Sequence, residues 1–137
     1  MDTARARRSI RLMACAVSVA GTLTACASWL SPTDHRLRVA NIGADSINEL
    51  VIRFPGSVVT FGNVLPGTTT TYRQVAGGVY GYGAFDFVVD SVIVRQPVID
   101  WVGESPMEGE AFTYTLELIT GPSGKPTIRL AAVGRDK

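Results

Sequence analysis

The sequence predicts an all-β fold, an antiparallel β-sandwich of about seven or eight strands preceded by a cleaved signal peptide. Three observations predict the sandwich. Apolar and polar residues alternate in short runs after residue 35, which is typical of strands with one buried face. Glycine and proline residues separate these runs at intervals of about ten residues. No run in this part has apolar residues at a helical period, so packed sheets have to supply the core.

The first 25 residues have the organisation of an export signal. Four arginines within the first eleven residues precede an uncharged run from Leu12 to Ala25. This run is shorter than the roughly 20 apolar residues that a membrane-spanning helix needs, and residues 1–25 are therefore predicted to be a signal peptide. The uncharged stretch continues to Leu30, so an uncleaved membrane anchor is the alternative. In both cases the arginines stay inside and the domain ends outside.

The letters LTAC, Leu23 to Cys26, resemble the lipobox of bacterial lipoprotein signal peptides. The resemblance implies a diacylglyceryl group on the Cys26 sulfur, cleavage between Ala25 and Cys26, and acylation of the new amino terminus. Several acyl chains hold a protein on a membrane effectively permanently, whereas a single chain is marginal. We therefore expect a lipoprotein of the bacterial cell envelope. Ala27 and Ser28 stand directly after Cys26, where an aspartate is associated with retention in the inner membrane. In a cell with two membranes this resemblance favours the periplasmic side of the outer membrane.

Residues 26–34 are predicted to be a lipidated tether, and residues 35–137 the sandwich. The eight residues after Cys26 include a proline and small polar side chains without any period, and they span at most about 26 to 29 Å. Once the signal peptide is removed, Cys26 is the only thiol of the chain. The domain therefore has neither a disulfide nor a thiolate metal site, and its core has to stabilise it.

The first three predicted strands, HRLRVANI, INELVIRF and SVVTFGNVL, place large apolar residues on one face. The residues predicted to face the core are Leu37, Val39, Leu50, Ile52, Phe54, Val59, Phe61 and Leu65. A type II turn with Pro66 and Gly67 at its centre follows the third strand. The β-branched run TTTTYRQVA predicts a fourth strand, which ends at Gly77 and Gly78.

Four more strands are predicted in YGAFDFVVD, SVIVRQ, AFTYTLELIT and TIRLAAV, with a turn at residues 121–126 before the last. Their predicted core residues are Phe85, Phe87, Val89, Phe112, Tyr114, Leu116, Leu118, Ile128 and Leu130. Strands of this number and spacing indicate a sandwich of broadly immunoglobulin-like or transthyretin-like arrangement. A closed barrel is the alternative.

Composition and charge exclude two classes of protein. With 46% hydrophobic and 18% charged residues, the chain is too apolar for a disordered protein. Nine basic and eleven acidic residues follow Cys26, a net charge of −2, so we expect no basic surface for the phosphates of a nucleic acid.

Residues typical of catalysis or metal binding are few. His35 is the only histidine, which excludes a His-based metal site and argues against a Ser/His/Asp triad. The sequence has no G-x-S-x-G motif and no phosphate-binding glycine loop. Gly78, Gly81 and Gly83 indicate a bulge or a bend instead. We predict no catalytic residue, no cofactor, no metal and no enzyme activity.

The longest predicted connection, residues 96–112, differs in character because it combines acidic residues with Trp101. Its carboxylates are Asp100, Glu104, Glu108 and Glu110. Such groups can bind Ca²⁺ or act in pairs on a glycosidic bond. We expect instead a solvated loop in which Trp101 covers one end of the sandwich.

These observations favour a non-catalytic lipoprotein that is bound to the membrane through Cys26 and binds another envelope protein or serves as an assembly part. The alternative is a polysaccharide-binding or hydrolytic domain that uses Tyr80, Tyr82, Trp101 and the acidic loop. Clustering of these aromatic residues on an exposed concave face would favour the alternative, and their burial would favour the first hypothesis.

Overall fold

The computed structural model describes residues 35–137, which form eight strands in two sheets and no helix. The strands are β1 (Arg36–Asn41), β2 (Ile47–Phe54), β3 (Ser57–Val64), β4 (Arg73–Gln74), β5 (Ala84–Val89), β6 (Val92–Gln96), β7 (Ala111–Thr120) and β8 (Pro126–Asp136). The prediction of an all-β sandwich is confirmed. The predicted signal peptide, Cys26 and the tether lie outside the described residues. Within residues 35–137 there is no helix of the length and apolarity needed to cross a membrane.

Each sheet has four strands. Sheet A has the order β4-β1-β7-β8, and sheet B has the order β3-β2-β5-β6. In an immunoglobulin domain the first two strands share a sheet, whereas here β1 and β2 lie in different sheets. The strand order therefore differs from that of an immunoglobulin domain, and the two sheets do not close into one barrel.

One strand pair departs from the antiparallel prediction. Strands β1 and β7 are parallel, with Leu37 beside Phe112 and Val39 beside Tyr114, while the other pairs of named strands are antiparallel. The chain passes from sheet B to sheet A between β6 and β7, at the end of the sandwich where β1 also begins. Both strands consequently run in the same direction.

The core between the sheets consists of the alternating apolar residues of both. Most residues predicted to face it are buried, and Tyr114, Phe87, Phe112 and Leu37 are among the largest fully buried side chains. Val89, Leu118 and Leu130 are half-buried and pack against its edge. Leu65 is the exception, because its side chain is 58% exposed and Val64 is buried in its place.

Val64 is buried in place of Leu65 because the pairing between β2 and β3 is irregular. Ile47 pairs with Val64 and Leu50 with Gly62, so the register shifts between these two pairs, and it shifts again beyond Leu50. Gly62 has a φ of 74° and Glu49 a φ of 50°, both in the left-handed region that favours glycine. A shift of one residue moves the following side chains to the other face of a strand. Simple alternation therefore predicts the wrong residue after Gly62.

The prediction of a long fourth strand is mostly wrong. Only Arg73–Gln74 forms β4, whereas residues 68–72 follow β1 with a single isolated bridge between Ala40 and Thr69. The hydroxyl of Thr70 accepts a hydrogen bond from the Val39 N–H (3.0 Å). A threonine side chain thus takes the position of a strand carbonyl, which a pattern of β-branched residues does not reveal.

The end of the sandwich where β1 begins is called the His35 end. The Nδ1–H of His35 donates to the Gly109 carbonyl (2.9 Å), and the N–H of Arg36 donates to the Glu110 carbonyl (2.7 Å). The connection between β6 and β7, residues 97–110, lies at this end. The start of the described chain is therefore bonded directly to that connection.

The opposite end is called the Asn41 end, after the buried polar residue that ties its loops together. The Asn41 side-chain amide donates to the carbonyls of Asp45 (2.8 Å) and Val64 (3.0 Å), and its oxygen accepts the N–H of Gly43 (2.9 Å). These bonds satisfy an amide that is only 1% exposed. They place the end of β3, and Leu65 after it, at the end away from His35.

Candidate interaction surfaces

Three aromatic residues meet at the His35 end and are called the aromatic cluster: Tyr80, Tyr82 and Trp101. The rings of Tyr82 and Trp101 are stacked, with centroids 5.1 Å apart and an interplanar angle of 16°. Tyr80 meets Trp101 edge-on at 5.4 Å and 73°. Two separate loops are therefore joined through Trp101.

The aromatic cluster continues into the core. Tyr80 stacks on Phe54 at 5.9 Å, and Phe54 meets Tyr114 edge-on at 6.2 Å. The Tyr114 hydroxyl donates to the Tyr80 carbonyl, and burial raises the pKa of Tyr114 well above its ordinary range. Trp101 packs against the core residues, so the prediction that it covers one end of the sandwich is confirmed.

The stacked rings of the aromatic cluster and the Tyr82 hydroxyl make contacts within the protein. The Tyr82 hydroxyl donates to the Asp100 carbonyl (3.3 Å). Loss of hydration raises the pKa of Tyr82, and the nearby Glu104 carboxylate raises it further. A sugar-binding platform needs a free aromatic face, and the stacking of Tyr82 on Trp101 covers one face of each ring. All three rings are half-buried. This arrangement agrees better with a structural role than with sugar binding.

The predicted acidic residues do not converge. Asp100, Glu104, Glu108 and Glu110 are exposed, and the Asp100 carboxylate accepts the N–H of Val102 (2.7 Å) within its own loop. Among residues 35–137, no group of three or more His, Cys, Asp or Glu side chains is placed to hold a metal ion. The geometry therefore offers no support for a calcium site at this loop.

The exposure of two aliphatic residues beside Trp101 was not predicted from the sequence. Ile99 is 99% exposed and Val102 is 88% exposed, the highest values among the large hydrophobic residues of the described part. They stand on either side of Asp100 and Trp101, in a loop with no periodic pattern that could reveal them. The loop thus directs its aromatic residue inward and two aliphatic residues into solvent.

The outer face of sheet B combines aliphatic and charged residues on all four strands. Its main members are Val51, Arg53, Val58, Asp86, Ile93 and Arg95. Val58 and Ile93 are 58% and 62% exposed. This surface is the regular alternate face of predicted strands, so the pattern of the sequence already contains it.

The outer face of sheet B carries one bonded ion pair with a second arginine beside it. Arg53 Nε donates to Asp86 Oδ2 at 2.8 Å, and Arg95 lies directly opposite Asp86 on the neighbouring strand. A shallow cleft of 340 Å³ borders these three residues. Arg95 forms no ion pair with another of the described residues, so its guanidinium is available to an acidic group of a partner.

The outer face of sheet A is a closed polar network. Asp136 accepts hydrogen bonds from the hydroxyls of Thr113 (2.6 Å) and Tyr72 (2.7 Å), and Arg38 donates to Thr113 (2.9 Å). The bond from Thr113 is the main cause that lowers the pKa of Asp136. The polar groups of this face are hydrogen-bonded to one another, whereas the outer face of sheet B exposes aliphatic side chains.

A second cleft, of 420 Å³, lies at the Asn41 end between the two sheets. Asp45 and Asp90 stand on its border, and its lining includes no cation, cysteine or histidine. The hydroxyl groups of its lining, on Ser46 and Thr120, have no histidine or cation beside them that could activate them or pair with the carboxylates.

No protein-family model, curated protein or solved structure matches the chain.

Proposed function

We propose that the chain is a lipid-anchored protein of the bacterial cell envelope whose sandwich is a non-catalytic module that binds another envelope protein. Cys26, at the end of the lipobox-like LTAC, carries the lipid. In a cell with two membranes, the periplasmic side of the outer membrane is the favoured location. The short tether of residues 26–34 keeps the domain close to the membrane, so its partner is a neighbour in the same compartment.

The composition of the outer face of sheet B is the observation that supports a role in binding. Val58 and Ile93 are more than half exposed and surround the bonded pair of Arg53 and Asp86. Protein interfaces combine an apolar centre with oriented polar groups, and arginine is frequent among the residues that contribute most to binding. A four-stranded sheet holds these groups without ordering a loop, which lowers the entropic cost of association.

The anchor is tested by replacing Cys26 with alanine. Cys26→Ala should abolish labelling with radioactive palmitate and leave the precursor unprocessed at Ala25, because the thiol is the lipid acceptor. Cys15→Ala is the matched control, since it removes the other cysteine, in the predicted signal peptide, and should leave labelling intact. Labelling that persists in Cys26→Ala would contradict the anchor.

The binding surface is tested by photocrosslinking in intact cells. A photoreactive amino acid at position 58 or 93 should give a discrete adduct, whereas the same group at Ala132, exposed on the outer face of sheet A, should not. Adding Arg53→Ala and Arg95→Ala should reduce the adduct while the melting temperature changes little. Equal adducts from all three positions, or none from 58 and 93, would contradict the assignment to sheet B.

A further inference from the structure

The chain enters the sandwich directly beside the loop of residues 97–110. His35 is bonded to Gly109 and Arg36 to Glu110 at the His35 end. Residues 26–34 precede this point and span at most about 30 to 32 Å. A lipid on Cys26 is therefore attached to the domain at the His35 end, which brings the loop of residues 97–110 within reach of the membrane.

The same loop carries the most exposed aliphatic side chains of residues 35–137. Ile99 and Val102 are 99% and 88% exposed. Trp101, between them, is held by Tyr80 and Tyr82. The two aliphatic residues thus project from a backbone that the aromatic cluster attaches to the core.

We infer that Ile99 and Val102 enter the interface of the membrane that holds the lipid, so that the His35 end rests on the lipid surface. This inference rests on the proposed lipid anchor. Anchoring brings the loop to the surface without a separate encounter, and the transfer of two aliphatic side chains out of water is favourable. The half-buried Trp101 and Tyr82 lie beside them, and Trp and Tyr are the residues enriched at the level of the headgroups.

The charge of the loop defines the lipid that it fits. Asp100 and Glu104 lie within two residues of the aliphatic pair, and Glu108 and Glu110 follow in the same connection. Anionic headgroups would repel these carboxylates, whereas Arg36, Arg73 and Arg135 place positive charge at the same end of the sandwich, so that this end carries both signs of charge. The structure thus assigns the loop to a zwitterionic lipid surface, such as one rich in phosphatidylethanolamine. Contact at the His35 end also leaves the outer face of sheet B free for a protein partner.

The test uses dyes attached at single positions of the full lipidated chain. Cys26 is acylated and no other thiol remains after processing, so Ile99→Cys and Val102→Cys can each be labelled with an environment-sensitive dye. In vesicles of phosphatidylcholine and phosphatidylethanolamine, both dyes should shift their emission to the blue, and brominated acyl chains should quench them. Leu65→Cys is the matched control, because Leu65 is also an exposed aliphatic residue but lies at the Asn41 end. Its dye should show neither change.

The outcomes separate this inference from the anchor. A chain that floats with the vesicles but shows no dye response at positions 99 and 102 would overturn the inference and leave the anchor intact. A correctly processed chain that fails to float would overturn both. Responses that require added envelope proteins would assign the loop to a protein partner instead. Replacing part of the lipid with phosphatidylglycerol should weaken the quenching at position 99, and an equal or stronger response would contradict the assignment to zwitterionic lipid.

Discussion

The side-chain amide of Gln96 pairs with both backbone groups of Ile128. Its Nε2 donates to the Ile128 carbonyl (2.8 Å), and its Oε1 accepts the Ile128 N–H (2.9 Å). Ile128 lies in β8, an edge strand of sheet A, and Gln96 ends β6, an edge strand of sheet B. The amide therefore takes the place of a neighbouring strand and links the two sheets where an open edge could pair with another chain.

Gln96→Ala should lower the free energy of unfolding by about 1 to 3 kcal/mol, because it leaves partly buried backbone groups of Ile128 without a partner. Gln96→Glu should lower it as well, since a carboxylate has no N–H to donate to the Ile128 carbonyl. Urea unfolding measures both effects. Arg95→Ala, at the exposed neighbouring position, should stay within about 0.5 kcal/mol of wild type. A Gln96→Ala protein as stable as Arg95→Ala would refute the role of this amide.

Trp101→Ala should destabilise the domain by about 1 to 3 kcal/mol. The loss is smaller than the roughly 3 to 5 kcal/mol typical of a fully buried aromatic residue, because Trp101 is only half-buried. Ile99→Ala, two positions away and fully exposed, is the control and should change stability by less than about 0.5 kcal/mol. Chemical denaturation measures the free energy of unfolding of both variants. Equal unfolding curves would show that Trp101 does not stabilise the core.

Gly62→Ala should lower stability by about 1 to 2 kcal/mol, because an L residue with a Cβ is strained in the left-handed region. The φ of Gly62 is 74°, and no atom lies within 4 Å of the position its Cβ would take, so the backbone alone causes the loss. Gly56 has equal space without a positive φ. Gly56→Ala is therefore the matched control and should unfold at nearly the wild-type denaturant concentration. Equal losses for the two variants would contradict the backbone argument.

Calcium should not change the melting temperature of the domain. A bound ion would stabilise the folded state by about 2.7 kcal/mol at a hundredfold excess over its Kd, which would raise the melting temperature by several degrees. Differential scanning calorimetry in millimolar calcium, compared with a non-chelating salt, measures the difference. The combined Glu104→Gln and Glu108→Gln variant is the control. A shift present in wild type and lost in this variant would reveal a metal site at the loop.

Asp136 should contribute a pH-dependent part of the stability. The hydrogen bond from Thr113 is the first cause that holds the pKa of Asp136 below its ordinary value of 3.8. A lowered pKa in the folded state favours the folded protein fully above 3.8, and this stabilisation is lost as the pH falls through the lower, folded-state pKa. The stability difference between wild type and Asp136→Asn should therefore be constant near neutral pH and shrink in acid.

Thr113→Val provides the control for this titration, because it removes the hydroxyl that donates to Asp136. Its pH dependence in acid should fall between those of wild type and Asp136→Asn. Urea unfolding across the acid range measures all three proteins. Parallel curves for wild type and Asp136→Asn at every pH would show that the hydrogen bonds to Asp136 do not favour its charged form.

Much of the architecture could be predicted because strand formation depends on local alternation. Leu37 and Val39 are two residues apart, and both are buried. The same rule assigned Phe85, Phe87 and Tyr114 to the core. The type II turn at Pro66 and Gly67 was also predicted correctly, since Gly67 has a φ of 69° and the Thr68 N–H bonds to the Leu65 carbonyl. Each of these features depends on residues that are neighbours in the chain.

The candidate surfaces could be predicted only in part. Val58 and Arg53 follow from the alternation that buries their neighbours, so the outer face of sheet B was implicit in the pattern. The exposure of Ile99 and Val102 was not predicted, because a loop has no periodic pattern that indicates which side chains point to solvent. The bonding of His35 to Gly109 joins residues far apart in the chain, and no local pattern indicates it.

The sequence by itself determined the strand content, most of the core and, through its resemblance to a lipobox, the expected anchor at Cys26. Only the tertiary structure decided the parallel pairing of β1 with β7, the burial of Val64 instead of Leu65, and the pairing of Gln96 with Ile128. The physical reason is the range of the interactions involved. Alternating burial depends on side chains two positions apart, whereas register, sheet order and edge protection depend on backbone hydrogen bonds between distant segments that compete for the same partners.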